Sequence, residues 1–162
     1  GRQMSNAFDP LDPRVQDALR AWGTPYSFGA GKPSILGWPD GVPGIKKGIG
    51  YDCSGLVQVI LVRRGVLPEG EVDRTAQSLF DLAVPLALGE PPAFGDLCFY
   101  GKGEKDISHV TLCISRTVCI GANGGTSKTN GDDPKAFVRI EPILYRSDFR
   151  GVRRVAPIKG KR

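Results

Sequence analysis

The chain carries a single histidine among its 162 residues, so any imidazole chemistry falls to His109. No apolar run approaches the roughly 20 residues that a membrane-spanning helix requires, so no membrane insertion is expected. The opening residues, Gly1 to Asn6, lack the apolar centre of a secretory signal. Met4 reads as a start, with residues 1–3 an addition ahead of it. The four cysteines include no Cys-x-x-Cys pair, which disfavours a zinc site built from Cys98, Cys113, Cys119 and His109. No metal or other cofactor is expected. The chain has no internal repeat and no low-complexity tract. It also lacks a nucleic-acid-binding motif and aromatics spaced for base stacking. Nucleic acid is therefore not an expected partner, and the net charge of +5 reads as an ordinary basic surface that suits an anionic polymer.

What is present is the composition of a folded domain. Hydrophobic residues make up 40% and charged residues 24%, which lies outside the disordered range. The length suits one core, so a single domain over residues 12–158 is expected, between an N-terminal tail (1–11) and a basic C-terminal tail (159–162). Asp12-Pro13 predicts a helix start, with Val15, Ala18, Leu19 and Trp22 on one face and Gly23 as the stop. Residues 23–50 are rich in glycine and proline and predict a long irregular loop, in which Trp38 serves as a core anchor or a cleft wall. Residues 53–64 predict a helix apolar nearly all round, which belongs inside a core. Thr75 to Leu82 predicts a shorter one, burying Ala76, Leu79 and Phe80. From Phe94 onward, short β-rich segments follow one another: 97–100, 110–115, 117–122, 137–143 and 151–158. Helices followed by a run of strands is an α+β pattern. Cys98, Cys113 and Cys119 lie in apolar runs and read as buried hydrophobes, with a Cys113–Cys119 bridge across a hairpin as the alternative. The basic residues are spread out, apart from a cluster at Arg150, Arg153, Arg154, Lys159, Lys161 and Arg162.

Cys53 differs from the other three cysteines. It stands in Tyr51-Asp52-Cys53-Ser54-Gly55, at the start of the apolar helix. Unpaired N–H groups and the helix dipole at that position favour a thiolate and can hold an oxyanion. A nucleophilic thiol also needs a base, and His109 in the strand-like Ser108-His109-Val110 is the one imidazole available. Cysteine on a helix, followed by histidine on a strand, is the papain-like order.

Five segments make the chain resemble the NlpC/P60 family of bacterial cell-wall cysteine peptidases. They are Gly23-Thr24-Pro25-Tyr26-Ser27-Phe28-Gly29, Asp52-Cys53-Ser54-Gly55-Leu56-Val57, Arg74-Thr75-Ala76-Gln77, Gly95-Asp96-Leu97-Cys98-Phe99-Tyr100 and Ser108-His109-Val110. The resemblance implies a papain-like α+β fold, with the nucleophile helix packed on an antiparallel sheet. It implies Cys53 as nucleophile and His109 as base. Tyr26, Asp52 and Ser54 then match positions beside the nucleophile that meet substrate, while Asp96 is expected to tie a turn. The implied activity is a hydrolase of peptidoglycan stem peptides, cutting the D-γ-glutamyl–diamino acid bond through an acyl-enzyme. Action at the cell wall or in the periplasm is expected, with delivery by a phage particle or as an exported effector that meets tail or secretion-machine components. Two departures stand out. The family's third polar position, about twelve residues past the histidine, falls on Gly121, so Asn123 on the same strand face is the candidate to orient His109, directly after a small register change or through water; a backbone carbonyl or water is the alternative. The segment from Lys32 to Gly50 is an insertion expected to reshape one cleft wall. A vestigial wall-binding module and an acyltransferase of the same fold are the rival readings.

Overall fold

The computed structural model describes residues 7–28, 50–69 and 73–159. The Met4 start, Trp38, nearly all of the Lys32–Gly50 insertion and the end of the basic tail lie outside the described residues.

Helix α1 spans Pro13–Leu19. Asp12 caps it by accepting the Arg14 N–H at 2.8 Å, and Pro13 occupies the first turn, where its missing N–H costs nothing. Val15 and Ala18 are buried, but Trp22 is 43% exposed, contrary to its expected place on the buried face. The helix ends at Leu19, and a turn through Gly23 (φ +86°) takes Trp22 out of helical phase.

Helix α2, Cys53–Arg63, is the centre of the molecule. Asp52 caps it by accepting the Gly55 N–H at 2.7 Å. Leu56, Val57, Val59, Ile60 and Leu61 are each at most 1% exposed. Burying side chains of this size stabilises by about 1.5–3 kcal/mol apiece, so this helix anchors the core. Arg63 at its last turn pairs with Asp17 of α1, which ties the two helices. Helix α3, Ala76–Leu82, is capped by Thr75 and buries Ala76, Leu79 and Phe80.

Six strands form one sheet in the order β1-β6-β2-β3-β4-β5, every neighbour antiparallel. They are β1 Val84–Pro85, β2 Leu97–Gly103, β3 Asp106–Cys113, β4 Val118–Asn123, β5 Phe137–Pro142 and β6 Phe149–Arg154. The two-residue β1 has no alternating pattern to announce it. The architecture is α+β. One sheet face, with Leu97, Phe99, Val110, Leu112 and Ile120, joins the core built on α2 and α3. The other carries Cys98, Tyr100, Cys113 and Cys119, covered by Ile143, Tyr145 and Phe149. All four cysteines are free. Cys113 and Cys119 are strand partners, but the sulfur that Cys113 meets is that of Cys98, at 3.1 Å, so the hairpin bridge is not formed.

The basic cluster near the C-terminus is largely spent on structure. Arg150 donates to the Gly101 and Lys102 carbonyls. The Arg153 guanidinium lies 3.7 Å over the Phe80 ring, and Arg154 pairs with Asp96 and Glu90. Asp96 also accepts the Ala93 N–H at 2.9 Å, tying the turn into β2.

Candidate active site

Cys53 sits at the first turn of α2, on the wall of a cleft of about 350 Å³. Tyr26, Phe28, Asp52 and Ser54 line it beside the thiol; Asp73, Arg74, Thr75 and Ala76 form another wall, and Ile107 and Ser108 of β3 close it. Tyr26, Asp52 and Ser54 are thus brought together with Cys53.

Local sequence explains each placement. Tyr26 is pinned by backbone pairing: the Ser27 N–H donates to the Tyr51 carbonyl and the Tyr51 N–H to the Pro25 carbonyl. Gly125 lies flat against its ring, and a Cβ there would stand 2.1 Å from the Tyr26 Cδ1. Burial keeps the Tyr26 phenol protonated, above its ordinary range. The Asp73–Arg74 wall is held by Gln58, a buried amide in the otherwise apolar α2. Its two Nε2 N–H groups are shared among the Ser54 carbonyl, Asp73 Oδ1 and the Arg74 carbonyl, and its Oε1 accepts the Arg74 N–H at 2.7 Å.

His109 belongs to a second group. It faces Tyr100 across the β2–β3 pair, with ring centroids 5.5 Å apart. Its Nε2 lies 2.9 Å from Asn123 Oδ1 and 3.0 Å from the Tyr145 hydroxyl, and that hydroxyl donates to the same Asn123 oxygen at 3.1 Å. Asn123 meets the ring directly, with no water between. Gly121 is the reason it fits: a Cβ at that position would come within 2.5 Å of Thr111 Cγ2 and 2.7 Å of Asn123 Oδ1. Strand alternation places Gly121 and Asn123 on one face, so the glycine clears the space that the carboxamide fills. Tyr145 was not legible as a site residue. It lies three residues past β5 in a turn, and no local pattern links such a tyrosine to His109.

The two groups meet along β3. Ser108, next to His109 in β3, lines the Cys53 cleft, and the backbone N–H of Val110 on the other side of His109 favours the Cys53 thiolate. Among the described residues, no direct hydrogen bond joins the thiol to the His109 ring.

The electrostatics are those of a neutral pair. Burial pushes the Cys53 thiol up to about 11, with the Asp52 charge adding to it. The N–H groups of Val110, Ser54 and Cys53 act the other way, as a helix start should, but desolvation wins. The thiolate favoured by the helix terminus is therefore not the resting state. His109 is pushed down to about 4, first by burial and then by the Arg146 charge, against the opposing Asn123 hydrogen bond. Near neutral pH the thiol is protonated and the imidazole is not. Such a pair suits a base that takes the proton as the sulfur attacks.

Among the described residues, no group of three or more histidine, cysteine or acidic side chains is placed to hold a metal.

Comparison with known proteins bears on the family and the fold. The NlpC/P60 family profile matches residues 23–137. Peptidoglycan endopeptidase RipB of Mycobacterium tuberculosis is 32% identical over 124 residues, covering 76% of this chain and 48% of RipB. The chain therefore spans about half the length of that relative. The P60 domain of a Mycobacterium avium subspecies paratuberculosis antigen superposes with a TM-score of 0.57 at 22% identity, covering 98% of each chain. RipD of M. tuberculosis, described as a non-catalytic NlpC/p60 domain protein adapted to peptidoglycan binding, superposes at 0.59 with 19% identity, over 88% of this chain and 93% of RipD.

Proposed function

Because the chain belongs to the NlpC/P60 family, we propose that it is a cysteine peptidase that hydrolyses peptidoglycan stem peptides at the cell wall. The observation that carries this reading is a thiol at a helix start on the wall of a cleft that is also lined by Ser108, the β3 neighbour of a histidine bonded to a carboxamide. In the proposed reaction the substrate carbonyl lies over Cys53. His109 accepts the thiol proton through Nδ1, the nitrogen that Asn123 and Tyr145 leave available, as sulfur attacks carbon. The Cys53 N–H and the Tyr26 hydroxyl are suited to hold the developing oxyanion. His109 then hands its proton to the leaving amine, and water releases the acyl group from sulfur. The bond assigned to this reaction is the one between D-γ-glutamate and the diamino acid. Asp52 and Ser54 on one wall and Asp73 and Arg74 on another offer charged and hydroxyl partners for so polar a peptide.

The test uses the purified protein and its Cys53→Ala variant, each incubated with diaminopimelate-type sacculi and with isolated muropeptides, with products identified by mass. Wild type is expected to release fragments ending in D-γ-glutamate, and Cys53→Ala none. Uncut sacculi and uncut muropeptides with wild type would sink the reading. One observation favours a second reading, wall binding without cleavage: the neutral thiol makes no direct hydrogen bond to the His109 ring. That reading predicts equal co-sedimentation of both proteins with sacculi and no products from either.

A further inference from the structure

We propose that Tyr145 is a positioning residue, which sets the orientation of the Asn123 carboxamide and through it the tautomer of His109. The consequence for catalysis rests on the peptidase reading above; the tautomer itself does not.

Three groups close a triangle beneath the site: His109 Nε2, Asn123 Oδ1 and the Tyr145 hydroxyl, with sides of 2.9, 3.1 and 3.0 Å. His109 and Asn123 are buried, at 6% and 1% exposure. A carboxamide has an acceptor end and a donor end of nearly the same shape, so Asn123 alone can face His109 either way. With the oxygen toward the ring, His109 must carry its proton on Nε2, and the Nδ1 lone pair is free for the thiol. With the amide nitrogen toward the ring, Nε2 must accept, the proton moves to Nδ1, and no base faces Cys53.

Tyr145 separates the two states. Burial keeps its phenol protonated, so it always has one proton to donate. In the first state the hydroxyl and Nε2–H both donate to Asn123 Oδ1, which has two lone pairs to receive them. In the flipped state the single Nε2 lone pair is taken by the amide N–H, and the buried hydroxyl proton loses its acceptor. An unsatisfied buried donor is costly, so the hydroxyl selects the first state. The selection has its own cost: Asn123 Nδ2 is buried with no hydrogen-bond partner. A native structure that leaves an amide N–H unpaired, although a flip would re-aim it, needs something holding the oxygen inward. Tyr145 is that holder.

His109 is the only histidine, so its ring nitrogens can be read without assignment ambiguity by long-range ¹H–¹⁵N NMR. The experiment compares wild type, Tyr145→Phe, Asn123→Asp and the double variant, with folding checked by thermal melting. Wild type is expected to show the Nε2–H tautomer alone. Tyr145→Phe is expected to show a mixture with Nδ1–H, and to lower kcat by roughly tenfold with little change in KM. A carboxylate has no donor end, so in the Asn123→Asp background the tyrosine substitution is expected to leave the tautomer unchanged. A Tyr145→Phe protein with the wild-type nitrogen signature would overturn the proposal. So would an equal effect of Tyr145→Phe in both backgrounds, which would mark a packing role. If wild type cleaves no peptidoglycan, the peptidase reading fails while the nitrogen signature still decides the role of Tyr145.

Discussion

Gly121 and His109 show how single positions govern the site. Gly121 stands where the family resemblance leads one to expect a third polar residue, yet its effect here is to make room. A methyl group there would press on Thr111 Cγ2 and on the Asn123 oxygen that meets His109. Gly121→Ala is therefore expected to cost about 1–3 kcal/mol, from overpacking between buried strands. It should also lower kcat by displacing Asn123, and a denaturant melt with a kinetic assay on the same sample checks both. His109 and Cys53 make stability depend on pH at both ends. The imidazole is pushed down to about 4 in the fold. Between its ordinary 6.5 and 4 the unfolded chain binds the proton that the native one refuses, so stability falls as pH falls through that window, by up to about 3 kcal/mol. The thiol is raised from 9.0 to about 11. Between those values the unfolded chain releases a proton that the native one keeps, so stability falls again as pH rises from 9 to 11. Urea midpoints measured from pH 4 to 10 are expected to be highest between 6.5 and 9. A midpoint unchanged from 6.5 down to 4.5 would contradict the neutral buried imidazole.

Helix α2 was legible because it obeys simple rules: an Asp cap, an unbroken apolar run, and arginines with glycine at its end. The five strands from Leu97 onward were equally plain, as short apolar segments bounded by turn residues, whereas the two-residue β1 was not. Trp22 failed because one turn of helix fewer than its periodicity suggested moves a residue to another face. Asn123 was legible only as a candidate: strand alternation put it on the correct face, while counting pointed to Gly121. Tyr145 and Gln58 were not legible as site residues. One sits in a turn whose position depends on how the sheet is covered, and the other on a helix that reads as wholly apolar. Gln58 joins α2 to the Asp73–Arg74 wall with three hydrogen bonds, two donated and one accepted. Gln58→Leu keeps the bulk and removes them, leaving the Arg74 N–H without that acceptor. It is expected to destabilise by about 1–3 kcal/mol. Because the freed wall lines the cleft, KM should rise more than kcat falls. Unchanged kinetics in a folded variant would show that the wall holds itself.

The whole molecule places the chemistry at a seam. The thiol group comes from α2 and the chain before it, the imidazole group from β3, β4 and the turn after β5, and the two adjoin at Ser108, the β3 neighbour of His109 that lines the cleft. Neither half of the chain contains a site alone. The arginines of the last strand close the sheet onto α3 and the turn into β2, so their charge serves packing more than attraction to a polymer. The measurement that tests the account most directly is a rapid acid quench of the protein with an isolated stem peptide, followed by intact mass and peptide mapping. Acid preserves a thioester. A transient mass gain equal to the acyl half of the substrate is expected, mapped to Cys53 and missing in Cys53→Ala. Hydrolysis of the peptide with no adduct on Cys53, or at an equal rate in Cys53→Ala, would contradict it.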